Sequence, residues 1–154
     1  EFMLSLICAR AQDESFSKSK DIKWGLRKSF QNPDSKYYQR MCYGYTHGRE
    51  GKLIIHEEQA EIVRLIYEMS ASGDSLARIS AHLEEMGILS PRGKEGWSKE
   101  TLRKILNNEK YKGSVTLQKT FVENYLEHKQ IKNVGQLDIF RIDCNHKPII
   151  YMDS

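Results

Sequence analysis

Residues 57–67, Glu57-Glu58-Gln59-Ala60-Glu61-Ile62-Val63-Arg64-Leu65-Ile66-Tyr67, decide the reading of this chain. Ala60, Ile62, Val63, Ile66 and Met69 recur at helical spacing and give one apolar face to a helix running to Ser72. Acidic residues in its first turn suit the positive end of the helix dipole, and Gly73 stands where such a helix stops. Two further patterns follow. Ser75 to Met86 carries Leu76, Ile79, Leu83 and Met86 on one stripe, closed by Gly87. Ser98 is placed to cap a third helix, to about Asn107, whose apolar positions are Leu102, Ile105 and Leu106. Helices at about 57–72, 75–86 and 98–107 predict a helix-turn-helix-like body, two helices as platform and the third with a polar, cationic face about as wide as a DNA major groove. A plain three-helix core with a wet outer face fits the same pattern. The connector from Gly87 to Trp97 is longer than the three or four residues usual in the strict motif, so Arg92, Gly93 and Lys94 would have to touch DNA themselves.

Outward from this body, Met41 to Tyr45 and Lys52 to His56 are β-prone runs separated by a loop with two glycines, Gly48 and Gly51, and predict a hairpin. Met3 to about Phe30 predicts a long helix: Leu4, Ile7 and Ala11 start an apolar stripe and Ile22 and Leu26 resume it. Between them Gln12 to Lys20 is almost wholly polar, as on a helix that bridges bodies or lies on a polar partner. Gln31-Asn32-Pro33-Asp34 is the stop. Downstream, strands are expected within 113–120 and 137–142, with a charged helix over 121–132. The fold class is therefore α+β, mainly helical, with a small β-containing C-terminal extension. Glu1 and Phe2 precede a methionine and read as a cloning remnant.

The 154 residues, 39% hydrophobic and 29% charged, describe a folded globular chain and not a disordered one. No run approaches the roughly 18 apolar residues of a membrane span, and Met3 to Ala9 lacks a basic leader, so neither a secreted nor a membrane protein is expected. The net charge of +3 is unevenly spread. Residues 1–56 hold ten Lys/Arg against six Asp/Glu, 57–87 two against seven, 88–132 ten against five and 133–154 two against three. Two basic blocks around an acidic one direct attention to a polyanion partner at the blocks. Cys8, Cys42 and Cys144 are odd in number and far apart, which predicts free buried thiols. His47, His56, His82, His128 and His146 show no paired spacing, so no metal or other cofactor is expected. No Gly-x-Ser-x-Gly elbow, phosphate loop or His-Glu-x-x-His is present, which argues against independent catalysis. Trp97, directly before the Ser98 cap, reads as a hydrophobic staple, and Tyr37, Tyr38, Tyr43 and Tyr45 as packing residues.

A resemblance then ties these parts together. Ala11 to Ser19 with Lys23-Trp24-Gly25 looks like the helix that leaves the catalytic domain of serine recombinases. Tyr43-Gly44-Tyr45, Leu53-Ile54-Ile55 and the helix at 58–67 resemble the opening of their recombinase domain. So do Gly73-Asp74-Ser75-Leu76, Gly96-Trp97-Ser98, the run Ile105 to Gly113, Gln118-Lys119-Thr120 and His146 to Ile150. The ordered series covers nearly the whole chain and resembles a large serine recombinase of mobile elements such as prophages.

The resemblance implies residues 3–30 as a linker helix after a catalytic domain that this fragment lacks, and residues 31–154 as the DNA-binding domain. It implies a parent enzyme that integrates or excises DNA through a phosphoserine intermediate, as a dimer or tetramer on attachment sites, and a fragment that is itself monomeric and not an enzyme. Lys18, Lys20, Lys23, Arg27 and Lys28, with Arg92 and Lys94, are the expected contacts to phosphates or the minor groove. Ser98, Lys99, Thr101, Arg103, Lys104 and Asn107 are the expected major-groove face. Double-stranded DNA in a bacterial cytoplasm, at the nucleoid, is the expected partner. A helix-turn-helix transcription regulator and a module for acidic proteins are the competing readings.

Overall fold

The computed structural model describes residues 2–123 and 126–151, with side chains from residue 17 onward. Glu1, Cys8 and the early stripe of Leu4, Ile7 and Ala11 fall outside the described residues or side chains. The elements in chain order are α1 (Phe2–Gln31), β1 (Tyr45–His47), β2 (Leu53–Ile55), α2 (Glu57–Ala71), α3 (Leu76–Glu85), α4 (Lys99–Leu106), β3 (Val115–Leu117), β4 (Thr120–Val122), β5 (Gln130–Lys132) and β6 (Phe140–Ile142). Two short 3-10 turns lie at Lys36–Gln39 and Glu109–Lys112. The described strands form three two-stranded sheets, β1 with β2, β3 with β6 and β4 with β5, the first and the last antiparallel. The chain groups into two compact units, one of residues 1–38 and 116–141, the other of residues 39–115 and 142–154.

In the second unit each helix begins where its cap dictates. The His56 ring accepts from the Gln59 N–H, the Ser75 hydroxyl from Arg78 and the Ser98 hydroxyl from Thr101, so every helix satisfies an otherwise orphaned donor. The three helices pack on one another through Ala60, Val63, Ile66, Ile79, Leu83, Leu102 and Ile105, all buried. Burying a side chain of this size contributes roughly 1.5–3 kcal/mol. An aromatic series extends this core. His146 meets the edge of Tyr45 at 4.7 Å, Tyr45 stacks near Tyr111 at 6.1 Å, and Tyr111 meets Tyr67 edge-on at 6.1 Å. The Tyr67 hydroxyl donates to the carbonyls of Ile105 and Leu106, closing the end of α4. The segment at 145–150 is laced to the 3-10 turn by Asn145 N to Gly113 O and by Ile149 N and Ile150 N to Tyr111 O. Gly113 sits at φ +90, and a Cβ there would lie 2.9 Å from the His146 carbonyl, so only glycine allows this approach.

The hairpin differs from its sequence-based outline. The first strand starts at Tyr45 and includes Thr46 and His47, and it is entered through a turn over 42–45 closed by Tyr45 N to Cys42 O. Gly44 causes the shift: at φ +96 it bends the chain, and a Cβ on it would meet Ile149 at 2.8 Å. The register pairs Tyr45 with Ile55 and His47 with Leu53.

In the first unit Phe30 is buried between Tyr37 (5.3 Å, edge-on) and Phe140 (6.0 Å), and the Tyr38 hydroxyl donates to the Phe30 carbonyl. The helix expected over 121–132 is instead a hairpin: β4 and β5 pair antiparallel, Phe121 facing Ile131. Buried Asn133 fixes the turn after it, donating to the carbonyls of Gln118 and Leu137 and accepting from Gly135 and Leu137. The thiols are less buried than expected: Cys42 is half-buried and Cys144 exposed. Cys144 sits at φ 55 in a bend.

Candidate nucleic-acid interface

The outward face of α4 follows from its inward one. Leu102 and Ile105 are buried and Leu106 half-buried, which leaves Lys99, Arg103 and Asn107, four residues apart, on one exposed line. Glu100 and Lys104 form the adjacent exposed line. The Glu100 carboxylate is claimed twice, by Arg103 at 3.1 Å and by Lys104 at 3.7 Å. Such exposed pairs contribute about 0.3–0.5 kcal/mol each, so their effect is to orient the two cations more than to hold the fold. Thr101 lies at the border of the core, its hydroxyl 2.8 Å from that of Ser98, which itself caps the helix. These two hydroxyls are thus occupied with the first turn. Beside Arg103 and Asn107 runs an open groove of about 450 Å³, lined also by Tyr67, Ser70, Leu76 and Leu106.

Immediately before α4, residues 88–97 form a loop pinned at its base. Ile88 N donates to Leu83 O at 3.0 Å, and the Trp97 indole N–H donates to Ile88 O at 2.9 Å. Trp97 is 4% exposed and meets the edge of Tyr43 at 5.7 Å. The tip is a tight turn with Ser90 N on Lys94 O and Gly93 N on Ser90 O, both 2.8 Å, and it leaves Arg92 and Lys94 exposed. The loop is therefore a shaped projection and not slack chain.

The candidates on α1 belong to the other unit. Lys18, Lys20, Arg27 and Lys28 are exposed. Lys23 is half-buried, and its ammonium donates to the Val122 carbonyl at 3.0 Å, so it ties α1 to β4. The Lys28 ammonium stands 4.9 Å from the centre of the Trp24 ring. Two roles were not read from sequence. The pairing of Glu100 was legible in its spacing of three and four residues to Arg103 and Lys104. Trp24, exposed at 65%, was signalled only by a lone aromatic among cations.

Burial shifts several protonation equilibria in the core. Burial pushes the Tyr67 hydroxyl up to about 12 and raises Tyr45 and Tyr111 further. Burial lowers His146 below its ordinary value, with Nε2 donating to the Lys110 carbonyl acting against that shift. Among the described residues no group of three or more His, Cys, Asp or Glu could hold a metal ion, and no helix is long and apolar enough to cross a membrane. What the geometry presents is exposed cation on shaped elements, suited to phosphates and base edges.

The comparisons with known proteins give the family. The Recombinase family model matches residues 57–153, which takes in α2, α3, α4 and the whole C-terminal part. A Bacillus subtilis (strain 168) protein named "Putative DNA recombinase" is 31% identical over 120 residues, covering 74% of this chain. The chain spans 23% of the length of that relative. No solved structure matches. With more than half its length under the family model, the chain belongs to the Recombinase family.

Proposed function

We propose that this chain is the DNA-binding portion of a serine-type site-specific recombinase, which recognises attachment half-sites when a mobile element is integrated or excised. The observation that carries the reading is the exposed line Lys99, Arg103 and Asn107 on a capped helix inside the family-matched region. In this reading α3, the 88–97 loop and α4 act as an elongated helix-turn-helix. Residues 31–154 form the DNA-binding domain, and α4 enters the major groove. Arg103 and Asn107 suit guanine and adenine edges, and Lys99 and Lys104 suit either base edges or phosphates. Ser98 and Thr101 contribute through the first turn of the helix. Arg92 and Lys94 follow the backbone or the minor groove from the loop tip.

Residues 3–30 serve as the linker helix, with Lys18, Lys20, Arg27 and Lys28 meeting phosphates. Lys23 does so only by leaving Val122. The phosphodiester chemistry, attack by a serine to give a phosphoserine linkage, is assigned to a resolvase-like part of the parent protein, which would act as a dimer or tetramer on DNA at the nucleoid.

Fluorescence anisotropy on attachment half-sites and on random duplexes, across a salt series, tests this. Tighter binding to the half-site, with log affinity falling linearly in log salt, is expected. A stable dimer selective for a palindrome instead would make the protein a transcription regulator. Absence of duplex binding in dilute buffer would overturn the proposal.

A further inference from the structure

Resting on the DNA-binding reading, we infer that Trp24 is a base-stacking residue, whose indole packs on an unstacked base of the bound duplex while the cations around it hold phosphates. The chain has two tryptophans with opposite environments. Trp97 is 4% exposed, its N–H is satisfied by Ile88, and it belongs to the core. Trp24 is 65% exposed on α1. An indole this open to water offers a flat aromatic face that a partner can cover.

The surroundings select the partner. Between Ser17 and Gln31 the helix carries five Lys/Arg against the single carboxylate Asp21, which complements a polyanion. Lys20, Trp24 and Lys28 stand four residues apart and share one line of the helix. The other exposed apolar side chain nearby, Ile22 at 70%, is two residues away and so on the other side of the helix. Along this line of the helix the ring therefore stands between cations. An aromatic face flanked by cations is what nucleic-acid surfaces use to stack bases while following the backbone.

The Lys28 ammonium over the ring, 4.9 Å from its centre, fixes the indole before binding. When a base takes the ring, that ammonium is within a side-chain swing of the adjoining phosphate. Opening a step costs least at flexible pyrimidine–purine steps and at mismatches, so such DNA is the favoured ligand.

The test uses the whole chain, with Trp24→Phe as spectroscopic blank and Trp24→Ala as the loss variant. The titrants are a half-site duplex, the same duplex with one mismatch, and polyglutamate. The wild-type minus Trp24→Phe emission isolates Trp24, and DNA is expected to quench it, most strongly with the mismatched duplex. Trp24→Ala is expected to weaken binding to the mismatched duplex by about 5- to 150-fold, the range of base–aromatic stacking, with the salt slope and the thermal midpoint unchanged. Trp24→Phe should retain most of the affinity. Binding of DNA with no change in Trp24 emission, or with Trp24→Ala as tight as wild type, overturns the inference and leaves the DNA-binding reading standing. Quenching by polyglutamate equal to that by DNA overturns it in favour of an acidic protein. Failure of every duplex to bind overturns both.

Discussion

The outer face of α4 and the second half of α1 are both cationic helix surfaces, yet they hold their charge differently. On α4 a carboxylate lies between the cations: Glu100 takes up Arg103 and Lys104, and the Ser98 and Thr101 hydroxyls bind one another. On α1 the cations meet an aromatic ring and a distant carbonyl, Lys28 over Trp24 and Lys23 on Val122. A cation already paired must exchange its partner to bind a ligand, which rewards only well-placed acceptors. In the proposed DNA-binding reading, α4 would discriminate between sequences and α1 would follow the phosphates.

The largest way to break this comparison is to unseat α4. Trp97→Ala removes a buried indole, its hydrogen bond to Ile88 and its contact with Tyr43, and should cost about 3–5 kcal/mol, read as a lower urea midpoint with the loop and α4 loosened together. A loss under about 1 kcal/mol would show that the loop is held some other way. Next in size, Arg103→Ala should weaken binding to the half-site by about 1–3 kcal/mol and affect random duplex less. Equal losses on both would move Arg103 to the phosphate-binding class and erase the distinction between the two helices.

Acid tests the platform beneath α4. His146 is held below its ordinary pKa of about 6.5 by burial, so in the window from that value downward the unfolded chain binds the proton more readily than the folded one. Stability contributed by the neutral ring is therefore complete above about pH 6.5 and falls as pH drops toward the folded value, by at most about 1.4 kcal/mol per pH unit for one group. The aromatic series His146, Tyr45, Tyr111 and Tyr67 ends on the carbonyls of α4, so the loss should reach that helix. Urea midpoints between pH 5 and 7 should slope upward in wild type and less steeply in His146→Gln. Parallel slopes would remove His146 from the account.

The helices were legible in the sequence because their signals are local. Caps at Ser75 and Ser98 and stripes such as Ile79 with Leu83 are written within a few residues of the structure they cause. The β4–β5 hairpin was not legible, since three-residue strands amid Glu123, Glu127 and Lys129 carry no clear alternation and gain stability only by pairing. The same holds at the candidate site. Exposure of Lys99 and Arg103 followed from the burial of Leu102 and Ile105, but the tether of Lys23 depends on Val122, 99 residues away, and no periodicity announces it.

The smallest expected effect is the one that compares the two helices most directly. Glu100→Gln leaves the fold almost unchanged, because its pairs are exposed and worth a few tenths of a kcal/mol. It removes the carboxylate that Arg103 and Lys104 share. Affinity for random duplex should rise severalfold, and the slope of log affinity against log salt should steepen by about one to two, one increment for each cation newly free to displace a counterion. Affinity for the half-site should rise less, since there the cations already exchange partners. The specificity ratio therefore falls although no base contact has been removed. If random and half-site affinities rise together, Glu100 acts only as one negative charge among many, and pre-pairing plays no part in discrimination.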